Sequence, residues 1–200
     1  MTGLLATLES LPPGPLYALI GLLAAVENVF PPVPADTAVA VGGFLAGRGT
    51  LDVWAVFLVT WIANVGSAAG VYAVARRYGP PFFAGPIGRR LMPPHVLQHI
   101  AAAYHRHGLW GIFLSRLLPV WRAVVPPFAG IAQVPAARAL VPMAVASGLW
   151  YGAITFLVAA LGTNFEEVLA ALARVNRVLG VAAVVLLAAF GFWIWRRLRN

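Results

Sequence analysis

Two long apolar segments of this chain are interrupted by prolines and by charged residues. The first runs from Pro15 to Leu45 and contains two acidic residues, and the second runs from Leu109 to Val134 and contains two arginines. Proline removes a backbone donor and breaks a helix. Irregular backbone at membrane depth is tolerated only where protein or a wet cavity surrounds it. We therefore predict that both segments form re-entrant hairpins or broken helices. The structural residues of these hairpins are Pro31, Pro32, Pro34, Pro119, Pro126, Pro127 and Gly130.

The composition places the chain in a membrane. Of its 200 residues, 61% are hydrophobic and only 10% are charged, whereas a soluble domain has about 25% charged residues. So few charges cannot cover a water-exposed surface. The formal net charge of +8 comes from arginines at the ends of apolar segments, which is typical of membrane orientation rather than of nucleic-acid binding.

No metal or cofactor site is predicted. The absence of cysteine excludes disulfides and thiolate ligands. Four histidines lie close together, but without acids or cysteines nearby we interpret them as solvated residues at the membrane interface. They are His95, His99, His105 and His107.

Three uninterrupted segments have the roughly 20 apolar residues of a spanning helix, namely Trp54–Val74, Leu140–Leu161 and Val178–Trp195. The arginine-rich residues 76–108 and the C-terminus are predicted to be cytoplasmic by the positive-inside rule. Residues 76–108 have the pattern of an amphipathic interfacial helix. We treat the whole chain, residues 1–200, as one membrane domain.

This topology brings the two hairpins into the membrane from opposite sides. Each half of the chain then consists of a broken hairpin followed by a spanning helix, as in the inverted repeats of transporters. The predicted fold is therefore an all-α polytopic membrane protein with two re-entrant, proline-rich hairpins and spanning helices in an inverted repeat.

The four charges of the hairpins are Glu27, Asp36, Arg116 and Arg122. Each charge at the centre of a spanning helix costs about 2.5–3.5 kcal/mol, so four would cost roughly 10–14 kcal/mol if unpaired. Because they sum to zero, we predict that they cluster at the midplane. They form either static ion pairs or a site in which the arginines bind an anionic head group and the acids exchange protons.

Two motifs coincide with the interrupted segments. The first reads Glu27-Asn28-x-Phe30-Pro31-Pro32-x-Pro34-x-Asp36, and the second reads Phe113-x-x-Arg116-x-x-Pro119-x-x-Arg122, then Ala129-Gly130 and Trp150. In this order and spacing they resemble the two signatures of the DedA family, in the VTT-domain superfamily, over about residues 15–160. Asp36 stands where the family more often has glutamate.

The resemblance implies a bacterial inner-membrane protein that moves lipids, such as polyprenyl phosphate carriers or phospholipids, in dependence on the proton gradient. It implies that Glu27 and Asp36 are proton-coupling acids and that Arg116 and Arg122 bind the substrate. The expected partners are a lipid with an anionic head group, the bilayer and protons, with no nucleic acid. Whether the protein forms a homo-oligomer is left open.

Three other functions stay open beside proton-coupled transport. They are passive phospholipid scrambling, a lipid-phosphate phosphatase and a non-catalytic scaffold for membrane homeostasis. The motifs K-x6-R-P and S-G-H of membrane phosphatases are absent, so we predict that the protein is not an enzyme. Asn64 and Ser67 either line a cavity or pack helices, and Gly66 and Gly70 predict close helix packing.

Overall fold

The computed structural model describes residues 10–30, 33–86, 109–118, 121–161 and 165–198, and its regular structure in these ranges is entirely helical. The prediction of an all-α membrane protein is confirmed at this level. In chain order the helices are α1 (Pro13–Val26), α2 (Ala35–Gly47), α3 (Val53–Ala84), α4 (109–116), α5 (Trp121–Ile131), α6 (Ala136–Leu161) and α7 (Phe165–Leu198).

Helices α3 and α6 are long and apolar enough to cross a membrane. The predicted spans Trp54–Val74 and Leu140–Leu161 lie within them. Asp52 caps the start of α3, because its Oδ1 accepts a hydrogen bond of 2.8 Å from the backbone N–H of Ala55, which satisfies one of the open donors of the first turn.

Helix α3 is longer than the sequence predicted. It continues beyond Val74 to Ala84, through Pro80 and Pro81, so the first residues of the predicted interfacial segment 76–108 extend a spanning helix. Residues 87–108, with the four histidines, lie outside the described residues. The predicted span at residues 178–195 falls inside α7, and its crossing of the membrane stays a prediction.

The first interrupted segment consists of two short helices. Helices α1 and α2 have 14 and 13 residues, or about 20 Å each, whereas the hydrocarbon core is about 30 Å thick. Pro34 precedes α2 as its N-cap, and Pro31 and Pro32 lie outside the described residues. A Cβ on Gly42 would lie 2.7 Å from Cδ1 of Ile20. These two residues lie at similar distances on either side of the connection between α1 and α2, so the two helices run antiparallel. The re-entry of these helices into the membrane stays a prediction.

The second interrupted segment is divided between α4 and α5, and of its three predicted hairpin prolines only Pro119 falls between these two helices in the sequence. Helix α4 ends in a turn at residues 117–118, whereas Pro126 and Pro127 lie inside α5. The prediction that these two prolines interrupt the helix is therefore wrong. A proline removes one backbone donor, and the carbonyl of Arg122, four residues before Pro126, accepts a bond from Arg116 instead. Pro119 lies outside the described residues.

Helices of the first half of the chain pack closely against helices of the second half, an arrangement that we call crosswise packing. Helix α2 packs on α6, where a Cβ on Gly47 would lie 2.5 Å from the carbonyl oxygen of Ala159. Helix α5 packs on α3, where a Cβ on Gly130 would lie 2.5 Å from the carbonyl oxygen of Tyr72. These contacts allow only glycine. By contrast, a Cβ on Gly66 or Gly70 meets no described atom within 4 Å, so the described helices do not use this pair for close packing.

Candidate functional site

Arg122 forms ion pairs with both acids of the first interrupted segment. Its Nη1 donates to Oε1 of Glu27 at 3.0 Å and to Oδ1 of Asp36 at 2.8 Å, and its Nη2 donates to Oδ2 of Asp36 at 3.1 Å. All three residues are buried, with exposures of 4% for the arginine and 6% for each acid. The pairing with Asp36 is bidentate, which is the strongest geometry between a guanidinium and a carboxylate.

Three further side chains donate hydrogen bonds to the carboxylates of Asp36 and Glu27. The indole Nε1 of Trp150 donates to Oδ1 of Asp36 at 2.9 Å, and the guanidinium of Arg122 lies 5.2 Å from the centre of the same indole ring. Asn176 on α7 donates to Oδ2 of Asp36 at 3.2 Å. The hydroxyl of Tyr151 donates to Oε2 of Glu27. Both oxygens of each acid therefore accept a hydrogen bond, as burial of a carboxylate requires.

Arg116 is held by neutral oxygens. Its Nε donates to Oγ of Ser147 at 2.9 Å, its Nη2 donates to the side-chain oxygens of Asn64 at 2.7 Å and Asn28 at 3.2 Å, and its Nη1 donates to the carbonyl oxygen of Arg122 at 3.1 Å. No described carboxylate lies within ion-pair distance of Arg116. The sequence predicted a cluster of four charges, and the structure brings all four into one hydrogen-bond network in which Arg116 touches no acid.

Asn64 connects the hairpins to the two spanning helices. Its Oδ1 accepts from Arg116 and, at 3.0 Å, from Ser147, and its Nδ2 donates to the hydroxyl of Tyr151 at 3.1 Å. Its carbonyl oxygen accepts from the amide of Asn28 at 2.9 Å, and that amide also donates to Ser67. Asn64 and Ser67 therefore belong to the polar network of the site, one of the two roles that the sequence had left open.

The sequence analysis missed Ser147 and Tyr151 as members of the network. A signal was present, because these two residues are spaced four apart on α6 and Asn64 and Ser67 are spaced three apart on α3. Residues at these spacings share one face of a helix, and two small polar faces in otherwise apolar helices indicate a shared polar centre.

The site encloses very little space. A small cavity between the two arginines leaves about 10 Å³ for the centre of a water-sized sphere, which is room for one water molecule. Nε of Arg122 is buried and has no partner among the described residues. A phosphate head group therefore does not fit until carboxylates or helices move apart. The cavity is lined by Asn64, Arg116, Arg122, Ala146, Ser147, Trp150 and Tyr151.

The site lies near the middle of the predicted span within α3 and near the middle of α6. Asn64 is halfway along the predicted span Trp54–Val74, and Ser147 and Tyr151 flank the midpoint of α6. Within the described ranges, no group of three or more histidine, cysteine or acidic side chains could hold a metal ion.

Comparison with known proteins gives a consistent assignment. The family model described as "VTT domain" matches residues 33–160. An uncharacterized membrane protein of Mycobacterium leprae is 33% identical over 138 residues, which cover 68% of this chain and 61% of that protein. A protein of Staphylococcus aureus named undecaprenyl phosphate transporter A is 22% identical over 92% of this chain and 93% of its own length. A Lactococcus lactis protein named alkaline phosphatase-like protein is 26% identical over 76% of this chain and 73% of its own length. No solved structure matches.

Proposed function

This chain belongs to the VTT-domain family, which includes the DedA proteins, and on that premise we propose that it is a proton-coupled membrane transporter of lipids with a phosphate head group. The substrate is undecaprenyl phosphate or a phospholipid. The name of the Staphylococcus aureus relative supports the first of these. In this proposal the protein performs no chemistry on the lipid, and Arg122 and Arg116 bind its phosphate.

The observation that carries the proposal is the sharing of Arg122 between two acids. Nη1 bonds both Glu27 and Asp36, and Nη2 bonds Asp36 alone. Two oxygens of a phosphate can bind a guanidinium in the same bidentate way as the two oxygens of a carboxylate. A lipid phosphate therefore competes with the carboxylates of Glu27 and Asp36 for Arg122. Without a bound lipid, the two carboxylates occupy the hydrogen-bond donors that the phosphate would use.

Proton coupling follows from the charge of the cluster. The two arginines and two acids sum to zero, so a bound phosphate monoanion leaves a buried net charge of about −1, and an uncompensated buried charge is expensive. One proton on an acid restores neutrality. Protonation of Asp36 has the larger effect, because it weakens both bonds that this carboxylate makes to Arg122, and so frees the guanidinium for the phosphate.

The crosswise packing supports a transport pathway through the membrane. We propose that the two interrupted segments re-enter from opposite faces as an inverted repeat, with residues 76–108 and the C-terminus in the cytoplasm and the whole chain forming one domain of the inner membrane. The head group then passes through the charged site at the midplane, while its hydrocarbon tail stays in lipid. A homo-oligomer is compatible with this arrangement.

The proposal is tested by transport in liposomes. Purified protein is reconstituted with fluorescent polyprenyl phosphate or phospholipid, with and without a pH gradient, and movement between leaflets is measured by quenching from outside. We expect Arg122→Gln and Glu27→Gln to abolish gradient-driven movement. The matched control is Arg138→Gln, which removes an exposed arginine of α6 and should transport as the wild type does. Normal transport by Arg122→Gln and Glu27→Gln together would overturn the mechanism.

The same experiment separates the alternatives. A passive scramblase equilibrates the lipid equally fast without a pH gradient, whereas a coupled transporter accumulates it in one leaflet. A phosphatase releases inorganic phosphate, which we measure in parallel because of the name of the Lactococcus lactis relative. A scaffold shows no movement of lipid, and its charge variants reduce only the yield of folded protein.

A further inference from the structure

Helix α5 carries a carbonyl group that its own helix cannot pair. In an α-helix the carbonyl of residue i accepts from the N–H of residue i+4, and the residue four positions after Arg122 is Pro126, which has no N–H. The proline ring also clashes with that carbonyl and tilts it outward from the helix. The carbonyl of Arg122 is thereby available to a donor from outside α5.

That donor is Arg116. Its Nη1 donates to the carbonyl oxygen of Arg122 at 3.1 Å, inside the site where Arg116 is 4% exposed. The bond joins the guanidinium of one arginine to the backbone of the other. It therefore fixes the position from which the side chain of Arg122 reaches Glu27 and Asp36.

The same arrangement occurs independently in α3. Pro80 lies inside this helix, and the carbonyl oxygen four residues earlier, that of Arg76, accepts a hydrogen bond of 2.8 Å from Nε2 of Gln133. Gln133 follows α5 with a positive φ of 57°. At two places, then, a proline within a helix leaves a backbone acceptor that a side chain from another element uses.

We propose that Pro126 is a positioning residue for the anion site: it keeps the carbonyl of Arg122 open for Arg116, so that the two arginines are held as one unit. This inference rests on the proposed function for its effect on transport. Its structural part, the coupling between Pro126 and Arg116, holds or fails independently of what is transported.

The neighbouring proline supplies a matched control. Pro126→Ala restores an N–H opposite the carbonyl of Arg122, which then pairs within α5 and turns away from Arg116. Pro127→Ala restores an N–H opposite the carbonyl of Ala123, which binds no arginine of the site. Both changes remove the same ring atoms and restore one helical hydrogen bond, but the ring of Pro126 is fully buried and that of Pro127 is partly exposed. The loss of packing at Pro126 is the same with and without Arg116, so the comparison in Arg116→Gln separates it from the effect on the arginine pair. Only the first is expected to disturb the arginine pair.

The test is a double-mutant cycle with two readouts. Pro126→Ala and Pro127→Ala are made in the wild type and in Arg116→Gln, and each protein is measured for thermal unfolding in detergent and for lipid phosphate transport. Pro126→Ala should raise the half-saturating lipid concentration about tenfold, as for loss of one charge-assisted hydrogen bond, with little change in maximal rate. In Arg116→Gln it should have no further effect. Pro127→Ala should leave the half-saturating concentration unchanged in both backgrounds.

Each outcome decides the inference. Equal effects of the two proline changes, or an effect of Pro126→Ala that is the same with and without Arg116, would overturn it. If the wild type moves no lipid phosphate, the proposed function fails. The unfolding cycle then still decides whether Pro126 and Arg116 are coupled, because non-additive unfolding temperatures support the coupling and additive ones refute it.

Discussion

Arg122 and Asp36 are joined by two parallel hydrogen bonds, Nη1 to Oδ1 at 2.8 Å and Nη2 to Oδ2 at 3.1 Å, across 86 residues of sequence. The pair connects the two interrupted segments of the chain. In the proposed mechanism the acid is the partner whose charge changes, because an arginine cannot be neutralised.

The first prediction concerns Asp36→Asn. Lipid phosphate binding by the wild type should tighten as pH falls, because a protonated acid releases Arg122 to the phosphate. Asp36→Asn mimics the protonated acid at one of the two acidic partners of Arg122, and Glu27 remains as the other, so its binding should depend on pH less strongly than that of the wild type. Binding of a fluorescent lipid phosphate in nanodiscs over a pH series measures this. Asp52→Asn removes an exposed carboxylate charge and keeps an oxygen that can cap α3, so it should keep the wild-type pH dependence. The same dependence in Asp36→Asn would contradict the prediction.

The second prediction concerns the shape of the cation. Arg122→Lys keeps the charge but loses the planar fork, so it loses at least one charge-assisted hydrogen bond worth about 1.5–3 kcal/mol, and transport should fall about tenfold or more. Initial rates in liposomes are the measurement. Arg138→Lys on the exposed face of α6 is the control. Equal rates for the two variants would mean that a point charge suffices at Arg122.

The third prediction concerns the hydroxyl of Tyr151. This group donates to Glu27 and accepts from Asn64, so Tyr151→Phe leaves buried polar groups without a partner. The free energy of unfolding should fall by about 1–3 kcal/mol, measured by denaturant titration in detergent. Tyr78→Phe, at a residue that is 61% exposed, should change it little. A stable Tyr151→Phe protein would show that the network re-forms around the missing hydroxyl.

The fourth prediction compares two glycines. A Cβ on Gly130 would lie 2.5 Å from the carbonyl oxygen of Tyr72 and 2.8 Å from the backbone nitrogen of Arg76, so Gly130→Ala should push α5 from α3 and cost about 1–3 kcal/mol of stability. Gly70→Ala meets no described atom within 4 Å and should stabilise α3 by about 0.5–1 kcal/mol. Thermal unfolding of both variants is the measurement. Equal shifts would refute the close contact at Gly130.

The sequence predicted the charged residues of the site because charges and prolines are rare in apolar segments and each one has a cost. Asn64, Ser147 and Tyr151 carry no such cost when they are hydrogen-bonded, and small polar residues also pack helices, so only their helical spacing indicated that they share a polar centre. The structure brings Glu27, Asp36 and Arg122 into contact, and the roles assigned to them stay predictions.

The prolines of α5 could not be interpreted from their positions alone. A proline within a helix leaves the carbonyl four residues earlier without its helical donor, and the sequence does not state which other donors lie nearby. Arg116 supplies that donor for Pro126 and Gln133 supplies it for Pro80. The length of α3 was underestimated because the predicted span ended before Arg76 and Arg77, whereas the helix continues through both arginines to Ala84.

The long separation between Asp36 and Arg122 has a consequence for how the protein is made. The ribosome adds about 5–20 residues per second. Arg122 follows Asp36 by 86 residues, so it is synthesised roughly 4–17 s after this acid. During that interval Glu27 and Asp36 have no cation from the second half, and a lone buried acid is costly. We therefore predict that the first interrupted segment takes up its final position in the membrane only after the second half of the chain has been synthesised.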